Sequence, residues 1–415
     1  MGRVRGASCG NLPVRLGRKL DTPPLRHKRL VKILYHHRTL GDGAEGIHIR
    51  EMVKAFRDLG NEVKVIGPAG EVPPKRSAGS RRLGLLKRWT PSVLFELLEI
   101  AYTVYGFWRT IREVHSFRPD FIYDRYIAFN AGPVLAGIAC RVPVCLEVNA
   151  PLALERGTQP DERLTFRGIA AWMERWICSN ATRTVVVSTP LRTYLESVGV
   201  PEGKCIVMPN GVDPLRFSPR ERDRALMDKA GIPSDHFVIG FTGVLRAWHG
   251  LDLLVAAMAM LASDGLKTFL LVVGEGPYRH ELEALVASAG LNDRVRITGH
   301  VRHERVPDYI ALFDAAVSPR ATFYASPMKV IEYMALGRPV VVPNTPNFLD
   351  IVDDRVNGVT FEDGSASALK EAIAYLYESR TSCLQLGRCA RRKVEERQNW
   401  RWNARRCCEL MRPTP

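Results

Sequence analysis

The chain has 415 residues, 46% of them hydrophobic and 25% charged, with a formal net charge of +15 and a pI of about 9.6. That length allows two ordinary domains with sizeable cores, and that balance excludes a disordered or fibrous chain. No apolar run approaches ~18 residues, which argues against a membrane-spanning helix. The basic N-terminus lacks the apolar stretch of a secretory signal. The nine cysteines include no C-x-x-C pair, and Cys383/Cys389 and Cys407/Cys408 have no companion ligands at useful spacing. They read as reduced thiols of a cytosolic protein, with no zinc site and no disulfide frame.

In chain order, residues 1–28 read as a basic extension. "LVKILY" (30–35) is a buried parallel strand, and 45–59 an amphipathic helix. The loop between them contains Gly41-x-Gly43-x-x-Gly46, the letter pattern of a dinucleotide site. Two requirements of that site fail. The first glycine does not follow the strand directly, and the next strand (61–67) ends without the acid that would bind a ribose. The glycines are better read as allowing a ligand close approach to backbone at the helix N-terminus, which favours negative charge. His48, in the first turn, is a candidate proton or phosphate contact, or else a surface or core histidine.

A basic segment follows, with Lys75, Arg76, Arg81, Arg82, Lys87 and Arg88 around Leu83, Leu85, Leu86 and Trp89. It suits an anionic membrane surface, or simply a solvated face. No zinc-finger or RNP-type motif points to nucleic acid. A helix spans about 91–117, and "DFIYDR" (120–125) and "VPVCLEV" (142–148) are strands flanking an apolar helix. Asp124, Arg125, Glu147 and Asn149, at or just after those strand ends, are candidates for an acceptor site or for structural hydrogen bonding. "RTVVVST" (183–189) is a further strand, and "VMPNGVDPLRFSPR" (207–220) reads as a linker. The alternation then restarts with strands at 236–243, 268–274, 294–299, 314–319 and 338–343. Two doubly wound α/β domains with a cleft between them follow from this order, with ligands at the C-terminal strand ends. Their limits are 29–208 and 209–395, and residues 396–415 are a C-terminal helix packing back on the first domain.

"YASPMKVIEYMALGRPVVV" (324–342) carries the chemistry. Ser326 is suited to N-cap a helix, with Pro327 in its first position. Lys329 then falls in the first turn and Glu332 at i+3 on the same face. That set can hold a diphosphate on Lys329 and backbone N–H groups, and accept ribose hydroxyls on Glu332. An ordinary exposed Lys–Glu pair is the alternative.

Through this stretch and others in order, the chain resembles the retaining glycosyltransferases of family 4, with the two-Rossmann GT-B fold, from about Leu30 to Asn403. The ordered motifs are "GDGAEGIHIREMVKAF", "VVVSTPLRTYL", "VMPNGVDPLRFSP", "GVLRAWHGLDLLVAAM", "VVGEGP", "RITGHVRHERVPDYIALFDAAVSP" and "SPMKVIEYMALGRPVV". In the family's E-x7-E motif the second Glu corresponds to Glu332, and Tyr324 stands where the first would be. The chain is similar to the subset in which Ser326, Pro327, Met328 and Lys329 line the diphosphate. Val244 and His249 stand where the family has Arg and Lys, so Arg246 or His249 would supply charge. Gly43, Gly46, Gly274, Glu275, Gly276 and Val301 would complete the donor site.

The resemblance implies sugar transfer with retention, from a nucleotide-diphosphate sugar to a glycan or lipid-linked hydroxyl. The catalytic set would be Glu332, Lys329, Arg246 and His48. Metal-dependent transferases commonly use Asp-x-Asp, which this sequence lacks, so neither metal nor cofactor is expected. The expected location is cytoplasmic, peripheral on the inner face of a membrane. A nucleotide-sugar 2-epimerase of the same fold and a non-catalytic basic membrane- or nucleic-acid-binding protein are the rival readings.

Overall fold

The computed structural model describes residues 30–39, 44–67, 92–158 and 164–412. Gly43 and the basic segment 75–89 lie outside the described residues. Residues Val31–Pro415 form one compact unit. It contains two six-stranded, wholly parallel sheets, so the α/β GT-B class expected from the strand–helix alternation is the observed one.

The first sheet comprises β1 (Lys32–His36), β2 (Glu62–Ile66), β3 (Phe121–Arg125), β4 (Val144–Val148), β5 (Arg183–Val186) and β6 (Cys205–Val207), ordered β2-β1-β3-β4-β5-β6. The second comprises β7 (Phe237–Thr242), β8 (Thr268–Val273), β9 (Val295–Ile297), β10 (Ala315–Val317), β11 (Val340–Pro343) and β12 (Gly358–Phe361), ordered β12-β11-β10-β7-β8-β9. Helices cover both faces of such a sheet, so its central strands read as continuous apolar runs. "VCLEV" of β4, "FVIGFT" of β7 and "TFLLVV" of β8 are buried at every position. Two edge strands, β6 and β12, were not anticipated. They are three and four residues long and lie in turn-rich sequence that carries too few alternations to register.

The stretch read as a linker is not an exposed tether. Asn210, Gly211, Val212 and Phe217 are buried in it. It runs beside a second crossing near the chain's far end. After the helix Arg380–Glu396 of the second domain, Val212 bridges Asn399, and a Cβ on Gly211 would lie 2.5 Å from the Trp400 nitrogen. The helix Trp400–Leu410 then packs on the first domain. Its Trp400, Ala404 and Cys407 join Met52, Val53 and Phe56 of the helix Ala44–Asp58 in one core cluster.

Inside the second domain one tight joint is Gly240 in β7, where a Cβ would lie 2.1 Å from the Phe313 ring. A ring held by the surrounding core cannot retreat, so Gly240→Ala should cost about 1–3 kcal/mol through overpacking. Thermal melting of Gly240→Ala alone and combined with Phe313→Leu tests this: the single variant should melt lower, and the double should recover part of the loss.

Candidate active site

The loop before the helix Met328–Ala335 ties the two domains together. Ser188 Oγ donates to the Tyr324 carbonyl at 2.7 Å, and the Asn210 amide groups bond Ser326 Oγ and its carbonyl at 3.0 and 2.9 Å. Tyr324 packs partly against the first domain's core, as does Met328. This corrects the expected role of Ser326. The helix begins at Met328 behind Pro327, with no side-chain cap, because the Ser326 hydroxyl is engaged by Asn210. Pro327 is buried at the N-cap position instead of the first helical one.

Lys329 projects from the first turn of that helix toward the C-terminal end of β7. Its Nζ is buried without a hydrogen-bond partner and sits 4.2 Å over the Phe241 ring. Gly243 makes room for it, since a Cβ there would lie 3.1 Å from Nζ. Burial pulls the Lys329 ammonium down to about 7, against the opposing pull of Glu332. Burial likewise pushes the Glu332 carboxyl up to about 7, against Arg216 and Lys329. His249 is half-buried beside them, drawn down to about 4 by burial and by the Lys329 charge. An ammonium without a hydrogen-bond acceptor, next to a carboxyl that titrates near neutrality, is suited to receive an anion with hydroxyl groups beside it.

Arg246 is exposed, its guanidinium 5.3 Å from the Trp248 ring. Gly274 and Gly276 have a packing function of their own: Cβ atoms there would lie 1.9 Å from the Gly243 oxygen and 2.3 Å from the Leu245 oxygen. They let the loops after β7 and β8 run against each other beneath Lys329. Glu275 is exposed and bound to Arg279, which holds its carboxyl below the usual range. Val301 is half-buried.

The first-domain candidates form a different kind of cluster. His48 Nε2 lies 2.7 Å from Glu147 Oε1, and Arg125 donates to His48 Nδ1 at 2.9 Å and to Glu147 at 3.4 Å. Nδ1 therefore accepts and Nε2–H donates, the neutral tautomer, and burial lowers the histidine further. Burial alone would raise Glu147, but His48 and Arg125 outweigh it and hold the carboxyl at about 2. Asp124 is closed in the same way by His36, at 2.7 Å with both residues 2% exposed. Of this group Arg125 and Asn149 stay half-buried, and Gly46 is buried in the helix above them.

Arg216, Asn210 and Phe241 escaped the sequence reading. Arg216 and Asn210 lie in the stretch taken as a linker, and Phe241 looks like any strand residue. Arg216 faces Glu332 electrostatically and lies 3.9 Å from Glu51. The neighbouring Arg216 and Phe217 in a turn-rich stretch were the signal available.

Residues 223–393 match the family described as glycosyl transferases group 1, and residues 45–216 match glycosyltransferase family 4. A 2-deoxystreptamine glucosyltransferase of Streptomyces kanamyceticus is 28% identical over 308 residues, covering 73% of this chain and 76% of its own. A GDP-mannose-dependent alpha-(1-6)-phosphatidylinositol monomannoside mannosyltransferase of Mycobacterium tuberculosis is 28% identical over 224 residues, 52% of this chain and 57% of its own. The crystal structure of Anabaena Alr3699/HepE in complex with UDP has the same fold, with a TM-score of 0.68 at 19% identity, covering 92% of this chain and 99% of that one.

The Lys329–Glu332 pair leaves a signature in stability. Between the unfolded carboxyl value of 4.5 and about 7, native Glu332 keeps a proton that the unfolded chain has lost, so its contribution falls as pH rises through that window. Lys329 does the converse: its contribution is full above 10.5 and is lost as pH falls toward about 7. Melting profiles should show Glu332→Gln abolishing the decline between pH 4.5 and 7, a slope of at most about 1.4 kcal/mol per pH unit. Identical profiles for wild type and variant would mean that Glu332 is not held protonated by burial.

Proposed function

We propose that the chain is a glycosyltransferase of the GT-B type and that it moves a hexosyl group, with retention, from a nucleoside diphosphate sugar to an acceptor hydroxyl. The observation that carries this reading is the buried Lys329 ammonium, without a hydrogen-bond partner and next to Glu332. In such a transfer negative charge develops on the departing diphosphate and must be met by groups already in position. Lys329 meets it, helped by the N-terminus of its helix and by Arg216 across the domain junction. Glu332 accepts hydrogen bonds from the ribose. An anion beside Lys329 raises the ammonium's proton affinity, so binding itself brings the lysine to its charged form.

His48, Glu147 and Arg125 act as a rigid floor under the acceptor. Both imidazole nitrogens are engaged within the protein, so His48 orients Arg125 and Glu147 and neither gives nor takes a proton. Retention rests on the family resemblance, as front-face attack without a covalent enzyme intermediate. The base and sugar are open between the relatives' glucosyl and mannosyl groups, and the acceptor is a glycan or a lipid-linked hydroxyl. The relatives described above are transferases, which disfavours the epimerase reading.

A thermal-shift panel of UDP-, GDP- and ADP-sugars identifies the donor, since a ligand at a hundredfold excess over its Kd adds about 2.7 kcal/mol. Once the donor is known, Lys329→Ala and Glu332→Ala should each lower turnover about ten- to a hundredfold, the loss of one charge-assisted hydrogen bond. Folded variants that both turn over at the wild-type rate would remove the pair from the mechanism.

Cations of the protein take the leaving-group charge in this reading. Turnover should therefore survive EDTA. Loss on chelation with recovery on adding magnesium or manganese would assign the charge to a metal instead.

A further inference from the structure

The 26-residue helix Ser92–Phe117 has its polarity inside out. Two of its three carboxylates point inward: Glu96, 1% exposed, accepts the N–H groups of Thr165 and Phe166 at 2.6 and 2.8 Å. Glu99 accepts from Arg38 at 3.1 Å and pairs with Arg156 at 2.9 Å. Thr110 is fully buried on the same side. Outward stand Leu94, Leu97, Leu98, Val104, Tyr105 and Trp108, each between 48% and 64% exposed. At 3.6 residues per turn these six fall within about a third of the helix circumference. A helix facing water has the opposite arrangement, and a continuous stripe of large apolar side chains marks a surface that is covered in use.

The charge around the stripe indicates what covers it. Arg112 is exposed one turn beyond Trp108, and the Arg109 guanidinium lies 5.9 Å from the Tyr105 ring. In sequence, positions 75–91 leading into the helix hold six Lys or Arg and no Asp or Glu, in a chain of net charge +15. A second copy laid on this face would bring like charges together. A bilayer with anionic headgroups satisfies both features, taking Leu and Trp into its acyl boundary and the cations at its surface. No helix among the described residues is long and apolar enough to cross a membrane, and the inward carboxylates bind this one to its domain. We propose that the outer face of Ser92–Phe117 seats the protein on an anionic lipid surface, lying along it and not through it. Lys329 and Glu332 take no part, so the inference stands or falls separately from the transfer reaction.

The test is flotation of the full chain with vesicles of phosphatidylcholine alone and of phosphatidylcholine with phosphatidylglycerol, at physiological salt. Wild type should float with the anionic vesicles and much less with the neutral ones. Leu97→Glu combined with Trp108→Glu should weaken binding about tenfold or more. Both sites are exposed, so the melting temperature should hold, and the single Trp108→Ala variant should bind at an intermediate level if the double fails to fold. Failure of wild type to float, equal binding to neutral vesicles, or unchanged binding of the folded variants would overturn the proposal. So would a wild-type dimer in sedimentation that the double substitution dissociates, which would assign the face to a second copy.

Discussion

The first sheet needs cover on both faces, and the chain supplies part of that cover from its far end. Trp400, Ala404 and Cys407 fill the space against Met52 and Phe56, so the polypeptide must cross between the domains twice. The two crossings run together at Val212 and Asn399, with Gly211 allowing the backbones to touch. That contact orders residues which local sequence would leave exposed. It brings Asn210 to Ser326 and Arg216 to the electrostatic surroundings of Glu332. A hydrophobic requirement of the first sheet thus brings together charges from distant parts of the sequence.

Two buried ionic groups follow opposite logic. His48, Arg125 and Glu147 satisfy one another, and the carboxyl is driven far below its ordinary value. Such a cluster is rigid, because removing any member leaves a buried charge uncompensated. Lys329, Glu332 and His249 are packed without comparable pairing. Burial drives each toward its neutral form, and Lys329 has only the Phe241 ring against its ammonium. In the proposed reaction an incoming anion, the donor diphosphate, would supply the missing partner. One cluster is closed upon itself, and the other keeps an ammonium without a hydrogen-bond acceptor.

The glycines of the second domain belong to the same design. Gly274 and Gly276 are needed because two loop backbones approach within distances that no Cβ tolerates. Gly243 beside them leaves the space that the Lys329 side chain enters.

The order of strands and helices, the parallel sheets and the Lys329–Glu332 spacing were legible in the sequence, because each depends on neighbours a few residues away. Periodicity identifies a strand such as "TFLLVV", and i,i+3 spacing puts Lys329 and Glu332 on one helix face whatever surrounds them. The short edge strands β6 and β12 were lost because three or four residues carry too little pattern. Ser326 looked like a cap because its local context permits one. Its actual partner, Asn210, stands 116 residues away in sequence and is brought close only by the double crossing. The same holds for Arg216, and for the pairing that closes His48 and Glu147 to each other while leaving Lys329 Nζ without an acceptor. Sequence determined which groups could act. Only tertiary structure decided which are already paired and which remain open to a ligand, because desolvation and partnering are set by contacts between distant parts of the chain.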